Sequence, residues 1–324
     1  MPLKNVLMDL RIWVLAAVVV AFAVGSLGSV VSTLVIVVLM LQMIAAMEGL
    51  SFHRADFAKD KKPIFWSFFA CFGICTGLTL AVGLLFMGPY PDVWKGWVML
   101  AAVPSAVSVL TVALFMRGDM VMAVLSMTVI YLISLGLTPL LTTMLIGDAI
   151  SPLEIFKYVL LFIAVPLLAN IPLKRFKINR DAKVVFINFM MFMLIVLSVG
   201  KNRDYMLGDP LLVGLIVVAC LFRTFAVSLI MLRVMKRHGA KRDNAVVYMG
   251  FAVWKNSGLA TTMCLVLLAD SPGAVLPCVI SLLIESVWFA IMSGHLQKVW
   301  PPTETLQQEI DALPEVPADT LNKD

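Results

Sequence analysis

Apolar residues run on along most of this chain without the two-residue or 3.6-residue alternation of a half-buried strand or a surface helix. The runs are separated by glycine, proline or clusters of charge. A helix that is apolar all round belongs in lipid or in a protein core, and a bilayer crossing takes about 20 residues. Ten runs are long enough: 10–25, 29–48, 63–87, 93–116, 120–146, 152–173, 184–200, 210–235, 243–269 and 273–296. The first two form one apolar stretch, 12–47. As a single helix it would be about 54 Å long, too long for one crossing, and Gly25-Ser26-Leu27-Gly28 is a natural break. Lys4 and Arg11 before a short apolar stretch imitate a secretion signal. No small-x-small site with a polar exit follows, so the segment is expected to stay as a span.

Composition agrees. Hydrophobic residues make up 61% of the 324 residues and charged ones 14%, against roughly 25% charged in soluble domains. The mean hydropathy is +0.98. A soluble chain could not hide that much apolar surface, which excludes a soluble enzyme, a disordered protein and a nucleic-acid-binding domain. The formal charge of +5 sits in the gaps between spans. With the N-terminus in the cytoplasm, nineteen Lys and Arg fall on inside segments and three (Lys95, Lys201, Arg203) outside. This split supports ten spans in the cell (inner) membrane with both termini cytoplasmic. The fold class is an all-α polytopic membrane protein. It divides into a first five-helix repeat over 1–147, a second, inverted repeat over 148–298, and a polar, acidic cytoplasmic tail over 299–324.

Five helices are an odd unit, so a second copy returns inverted, as in many secondary transporters, and matching spans of the halves should both be broken. Span 4 carries Pro104 between Val103 and Ser105, with Ser108 close behind; span 9 carries Lys255-Asn256-Ser257-Gly258. These are the fourth spans of each half. Interrupted backbone is tolerated at membrane depth only where protein, water or ligand satisfies it, and half-helix N-termini attract anions. An ordinary proline kink would account for span 4 alone; the Lys-Asn-Ser-Gly cluster resists such a reading.

Lys255, Arg223 and Glu285 fall near the midplane of spans 9, 8 and 10. A lone charge there costs at least ~2.5–3.5 kcal/mol, so Glu285 is expected to pair with Arg223 or with Lys255. A fixed Arg223–Glu285 pair would leave Lys255 for substrate or protons. Glu48 and Lys157 lie near span ends and reach the interface. Cys71 and Cys75, four apart, could hold a metal, but no His or acid sits nearby, and small buried hydrophobes are the plainer reading. His53, His238 and His295 sit at span edges. No metalloprotease, nucleophile-elbow or phosphate-loop motif occurs, so neither an enzyme nor a cofactor or metal site is expected.

The chain resembles the bile acid:sodium symporter family over about 30–298. The residues that carry the resemblance are Leu39-Met40-Leu41-Gln42-Met43, Met47-Glu48-Gly49-Leu50 and Asp56-Phe57; Pro104, Arg117-Gly118-Asp119 and Thr138-Pro139-Leu140-Leu141; and Asn256-Ser257-Gly258-Leu259-Ala260. The resemblance implies ten helices in a panel and a core domain, crossed spans 4 and 9, and sodium-coupled uptake of organic anions by alternating access. It also places the family's sodium-ligand positions on Val109, Leu110, Ala123, Met127, Phe251 and Lys255. Hard cations need oxygen ligands, and these side chains offer none.

The expectation is a carrier for a small organic anion in which Lys255 replaces the coupling cation, and Asn256, Ser257, Pro104, Ser105 and Ser108 line the site with it. Coupling is then to protons or absent, the latter giving facilitated diffusion or exchange. The alternatives are a non-transporting membrane sensor or interaction protein on a transporter scaffold, which would show no ligand binding, and a cation/proton antiporter, which needs a free midplane carboxylate. The expected partners are an organic anion, the bilayer and, on the first form of coupling, protons; nothing in the residues specifies an oligomer.

Overall fold

The computed structural model describes residues 7–47, 61–147, 151–173 and 179–302. Glu48, His53, the Asp56-Phe57 pair, residues 174–178 and the tail from 303 onward lie outside the described residues. The described chain is helical throughout, with no strand. It runs α1 (Leu10–Val24), α2 (Val31–Met47), α3 (Lys62–Met87), α4a (Pro91–Ala102), α4b (Ser108–Phe115), α5 (Met120–Ile146), α6 (152–173), α7 (Arg180–Gly208), α8 (Pro210–Arg237), α9a (Arg242–Val253), α9b (Ser257–Leu267) and α10 (Val275–Val299). Five of these, α3, α5, α7, α8 and α10, are apolar and long enough to cross a membrane, while α1 and α2 are shorter apolar helices. A polytopic membrane protein follows.

The break expected between the first two helices is present. Gly25 (φ 71°) and Gly28 (φ 77°) both adopt left-handed backbone, which a side chain with a Cβ resists. One expected boundary is corrected. The seventh helix does not stop at residue 200; it continues through Lys201, Arg203 and Asp204 to Gly208. Apolarity ends at 200, but the helix passes Gly200 and no proline comes before Pro210.

Three helices contain a π stretch that the apolar pattern does not reveal: Phe69–Cys75 in α3, Leu160–Ala164 in α6 and Phe222–Ala226 in α8. An i→i+5 turn brings residues five apart onto one face, and two of these stretches bear on the site below.

Helix α7 packs on α1 and α2, and α6 packs on α2. The half-helix α4a packs against α3, α5 and α10, and α9a against α3, α4b and α8. At one end of the bundle Arg242 donates to the carbonyls of Met116, Arg117 and Trp300, and Lys236 to that of Val299. These cations cap the C-termini of α4b and α10, where the helix dipoles favour them. At the other end Lys95 bonds Asp92 and Ser271, Lys201 bonds Ser32, and Arg203 bonds the Phe22 carbonyl.

Helix α4a passes the entrance of α10 so closely that a Cβ on Gly96 would run into the Ala274 backbone carbonyl. Gly96→Ala should therefore lower the apparent Tm in detergent, by the few degrees that about 1–3 kcal/mol of overpacking implies. Gly136→Ala, where a Cβ meets nothing within 4 Å, should leave it unchanged.

Candidate functional site

The fourth and ninth helices break where they meet. Pro104 cannot follow a helical residue comfortably, and the residue before a proline is pushed to extended backbone. Val103 accordingly adopts φ −69° and ψ 154°, and α4b resumes at Ser108. In the ninth helix, residues 254–256 are non-helical, with Trp254 extended (φ −96°, ψ 115°). Ser257 and Gly258 open α9b rather than belonging to the break, and the Asn256 side chain caps that half-helix by accepting the Leu259 N–H at 3.0 Å.

A helix ending inside a dry core leaves its last carbonyls without partners. Here four carbonyls around the break are met by three other segments. Thr76 Oγ1 donates to the Ala101 carbonyl (2.8 Å), Thr138 Oγ1 to that of Ala102 (2.8 Å), Lys255 Nζ to that of Val103 (2.9 Å) and the Asn256 N–H to that of Pro104 (2.8 Å). Helices α3 and α5 and the ninth-helix break thus stitch one helix end.

Lys255 is wholly buried. Besides Val103, its ammonium donates to Thr76 Oγ1 at 2.8 Å, lies 3.8 Å from Cys71 Sγ, and sits 4.6 Å from the Phe72 ring centroid. Residues 71 and 76 are five apart, and the π stretch of α3 turns both toward the ammonium. None of these groups is anionic; among the described residues no carboxylate pairs with the Lys255 ammonium, although the Lys255 backbone N–H donates to Glu285 Oε1 at 3.5 Å.

Glu285 is paired with Arg223 instead, at 2.6 Å, both side chains being 2% exposed. Arg223 also reaches Ser281 Oγ (2.6 Å) and Thr79 Oγ1 (3.3 Å). The second carboxylate oxygen of Glu285 accepts Ser257 Oγ–H at 3.1 Å, so the pair is tied to the first turn of α9b. The π stretch of α8 carries Arg223.

Beside this network lies a cavity of about 50 Å³, room for roughly three to five waters. Ala106, Val107 and Ser108 at the start of α4b line it, and so do Asn256, Ser257 and Gly258 at the start of α9b. Two half-helix N-termini therefore open on one space. The α4b end carries no side-chain cap. Lys255 and Glu285 also border the cavity, and Gln42, Met43 and Met191 of α2 and α7 close the opposite wall.

Of the residues expected to line a binding site, Lys255, Asn256, Ser257 and Ser108 meet around this cavity. Pro104 and Ser105 do not. The Pro104 carbonyl is taken by Asn256, and Ser105 is buried behind the wall with its hydroxyl 3.1 Å from Cys71 Sγ and 3.4 Å from the Phe251 carbonyl. Sequence reasoning missed Thr76, Thr79 and Ser281, hydroxyls one helical turn apart from ordinary neighbours, and the amide and thioether wall of Gln42, Met43 and Met191. Met43 sits in the Met-rich segment of α2, which pointed to a resemblance but not to a cavity.

Residues 33–200 match the Sodium Bile acid symporter family, more than half of the chain. The chain belongs to this family. No curated protein matches it. Family membership makes the protein a membrane transporter of the bile acid symporter type. Of the positions on which the resemblance places the family's sodium ligands, Val109, Ala123, Met127 and Phe251 are fully buried members of the apolar core.

Removing one partner of a buried ion pair strands the other charge and costs about 3–5 kcal/mol. Glu285→Gln should therefore unfold the protein at a markedly lower temperature. Adding Arg223→Met should restore part of the loss, and a double-mutant cycle by thermal unfolding reads the coupling. Thr76→Val deprives both Lys255 and the Ala101 carbonyl of a partner and should cost about 1–3 kcal/mol per stranded group, with Thr76→Ser recovering most of it.

Proposed function

We propose that this protein carries a small organic anion by alternating access without sodium, the Lys255 ammonium standing where relatives hold a coupling cation. On this reading the chain crosses the inner membrane ten times, as two inverted five-helix repeats with cytoplasmic termini, and α4 and α9 are the crossed, broken helices of its core domain.

One observation carries the reading. Two half-helix N-termini, each equivalent to roughly half a positive charge, face one cavity whose wall includes Lys255, and the ammonium of that residue, held just outside the lining by Thr76, Val103, Cys71 and Phe72, has no anionic partner. An anion is the ligand such a site completes. Sodium independence draws support from the residues themselves. Val109, Leu110, Ala123, Met127 and Phe251 present hydrocarbon or thioether at inferred sodium-ligand positions. At the remaining one, the Lys255 ammonium already takes the Val103 carbonyl and the Thr76 hydroxyl, two oxygens of the kind a hard cation would use. The antiporter reading loses its free carboxylate to Arg223.

The cavity is far smaller than the roughly 300–1,000 Å³ of organic-ligand pockets, so substrate enters only when the walls part. Uptake of labelled pyruvate, pantoate, isethionate and taurocholate into proteoliposomes, with sodium and proton gradients imposed separately, tests the proposal. The expected outcome is uptake of at least one anion that a sodium gradient does not accelerate. Lys255→Gln should lower that uptake at least tenfold. Strong stimulation by sodium alone, or unaltered flux and pH dependence in the variant, would overturn the assignment to Lys255.

A further inference from the structure

Three charged side chains lie buried where the broken helices meet. Arg223 and Glu285 cancel each other at 2.6 Å. The groups around Lys255 Nζ, namely Thr76 Oγ1, the Val103 carbonyl, Cys71 Sγ and the Phe72 ring, supply dipoles and no charge. With Lys, Arg and Glu in their ordinary ionised forms, the site carries one net positive charge.

We propose that this fixed charge makes the protein an anion exchanger, in which the return half of each cycle requires a second organic anion. The inference rests on the organic-anion reading above and specifies its counter-substrate. A carrier that borrows a mobile cation releases it with the substrate and returns with a neutral site. Lys255 is covalently held and cannot be released. With an anion bound, the site sums to zero when the cavity closes. With the cavity empty, closure removes water from an unbalanced charge in a low-dielectric interior.

The space in this conformation holds only a few waters, too few to replace a hydration shell. The Thr76 and Val103 oxygens offset part of the cost. What an unpaired lysine costs at membrane depth corresponds to slowing on the order of a hundredfold if none of it is offset; after the offset at least tenfold is expected.

The test uses the intact protein in proteoliposomes and the same four probes, labelled pyruvate, pantoate, isethionate and taurocholate. Vesicles are preloaded with the unlabelled form of each probe or left free of organic anion. The expected result is uptake of at least one probe that is tenfold or more faster into preloaded vesicles. Efflux of that probe should stall unless organic anion is present outside. An imposed membrane potential should not drive entry into anion-free vesicles, because one-for-one exchange of like charges moves no net charge. Equal rates into loaded and anion-free vesicles would overturn exchange while leaving the anion carrier intact, as would net uptake driven by a proton gradient without internal anion. No uptake of any probe under any loading would remove the carrier reading and the exchange with it.

Discussion

The ammonium of Lys255 on the carbonyl of Val103 joins the two interrupted helices, and much of the centre of the molecule follows from it. Pro104 makes the fourth helix stop inside an apolar body. The carbonyls exposed by that stop must each find a donor, because neither lipid nor hydrocarbon side chains offer one. The ninth helix breaks at the matching depth and supplies two of the four, one from the Lys255 side chain and one from the Asn256 backbone. The other two come from threonines on α3 and α5. Polar residues that would be expensive in lipid are thereby consumed by the backbone that the breaks expose.

The same arrangement decides the electrostatics. Glu285 could have neutralised either cation, and it is committed to Arg223, with Ser281, Ser257 and the Lys255 backbone N–H filling its other acceptor positions. Lys255 is left with neutral partners that satisfy its hydrogen bonds without cancelling its charge. A buried ammonium in that condition is unusual, since buried charges are ordinarily paired. The two half-helix N-termini add potential of the same sign to one small space. On the proposed reading, complementarity to an anion is therefore a property of the whole constellation, not of one side chain.

Much of this was legible in the chain. Helix positions followed from apolar length, the breaks from Pro104 and from the Lys255-Asn256-Ser257-Gly258 cluster, of which only Lys255 and Asn256 lie in the break itself, and the Arg223–Glu285 pair from the cost of isolated charge in an apolar body. Other features were hidden for physical reasons. The π stretches of α3 and α8 leave no mark on an all-apolar pattern, yet they decide that Cys71 and Thr76 share a face and where Arg223 points. The direction of Ser105 depends on which side of an extended backbone it leaves, which Pro104 alone does not determine. The end of α7 was missed because hydropathy falls at Lys201 while helix-forming residues continue.

The contrast between strong and weak contacts around the cavity bears on how it could open. Inside the set formed by α3, α4, α5, α8, α9 and α10, the site is bound by charge-assisted and oxygen-accepting hydrogen bonds of 2.6–3.1 Å. Toward α2 the site makes an amide-to-thioether contact, Asn256 Nδ2 to Met43 Sδ at 3.6 Å, and within the wall itself Gln42 Nε2 of α2 meets Met191 Sδ of α7 at 3.7 Å. Thioether sulfur is a weak acceptor, and methionine repacks readily. A cavity too small for an organic anion must part somewhere, and the least costly place is the methionine wall. Opening there would expose both half-helix N-termini while leaving the Lys255–Val103 bond and the ion pair intact. The charge that selects the ligand would then be the same on either face of the membrane.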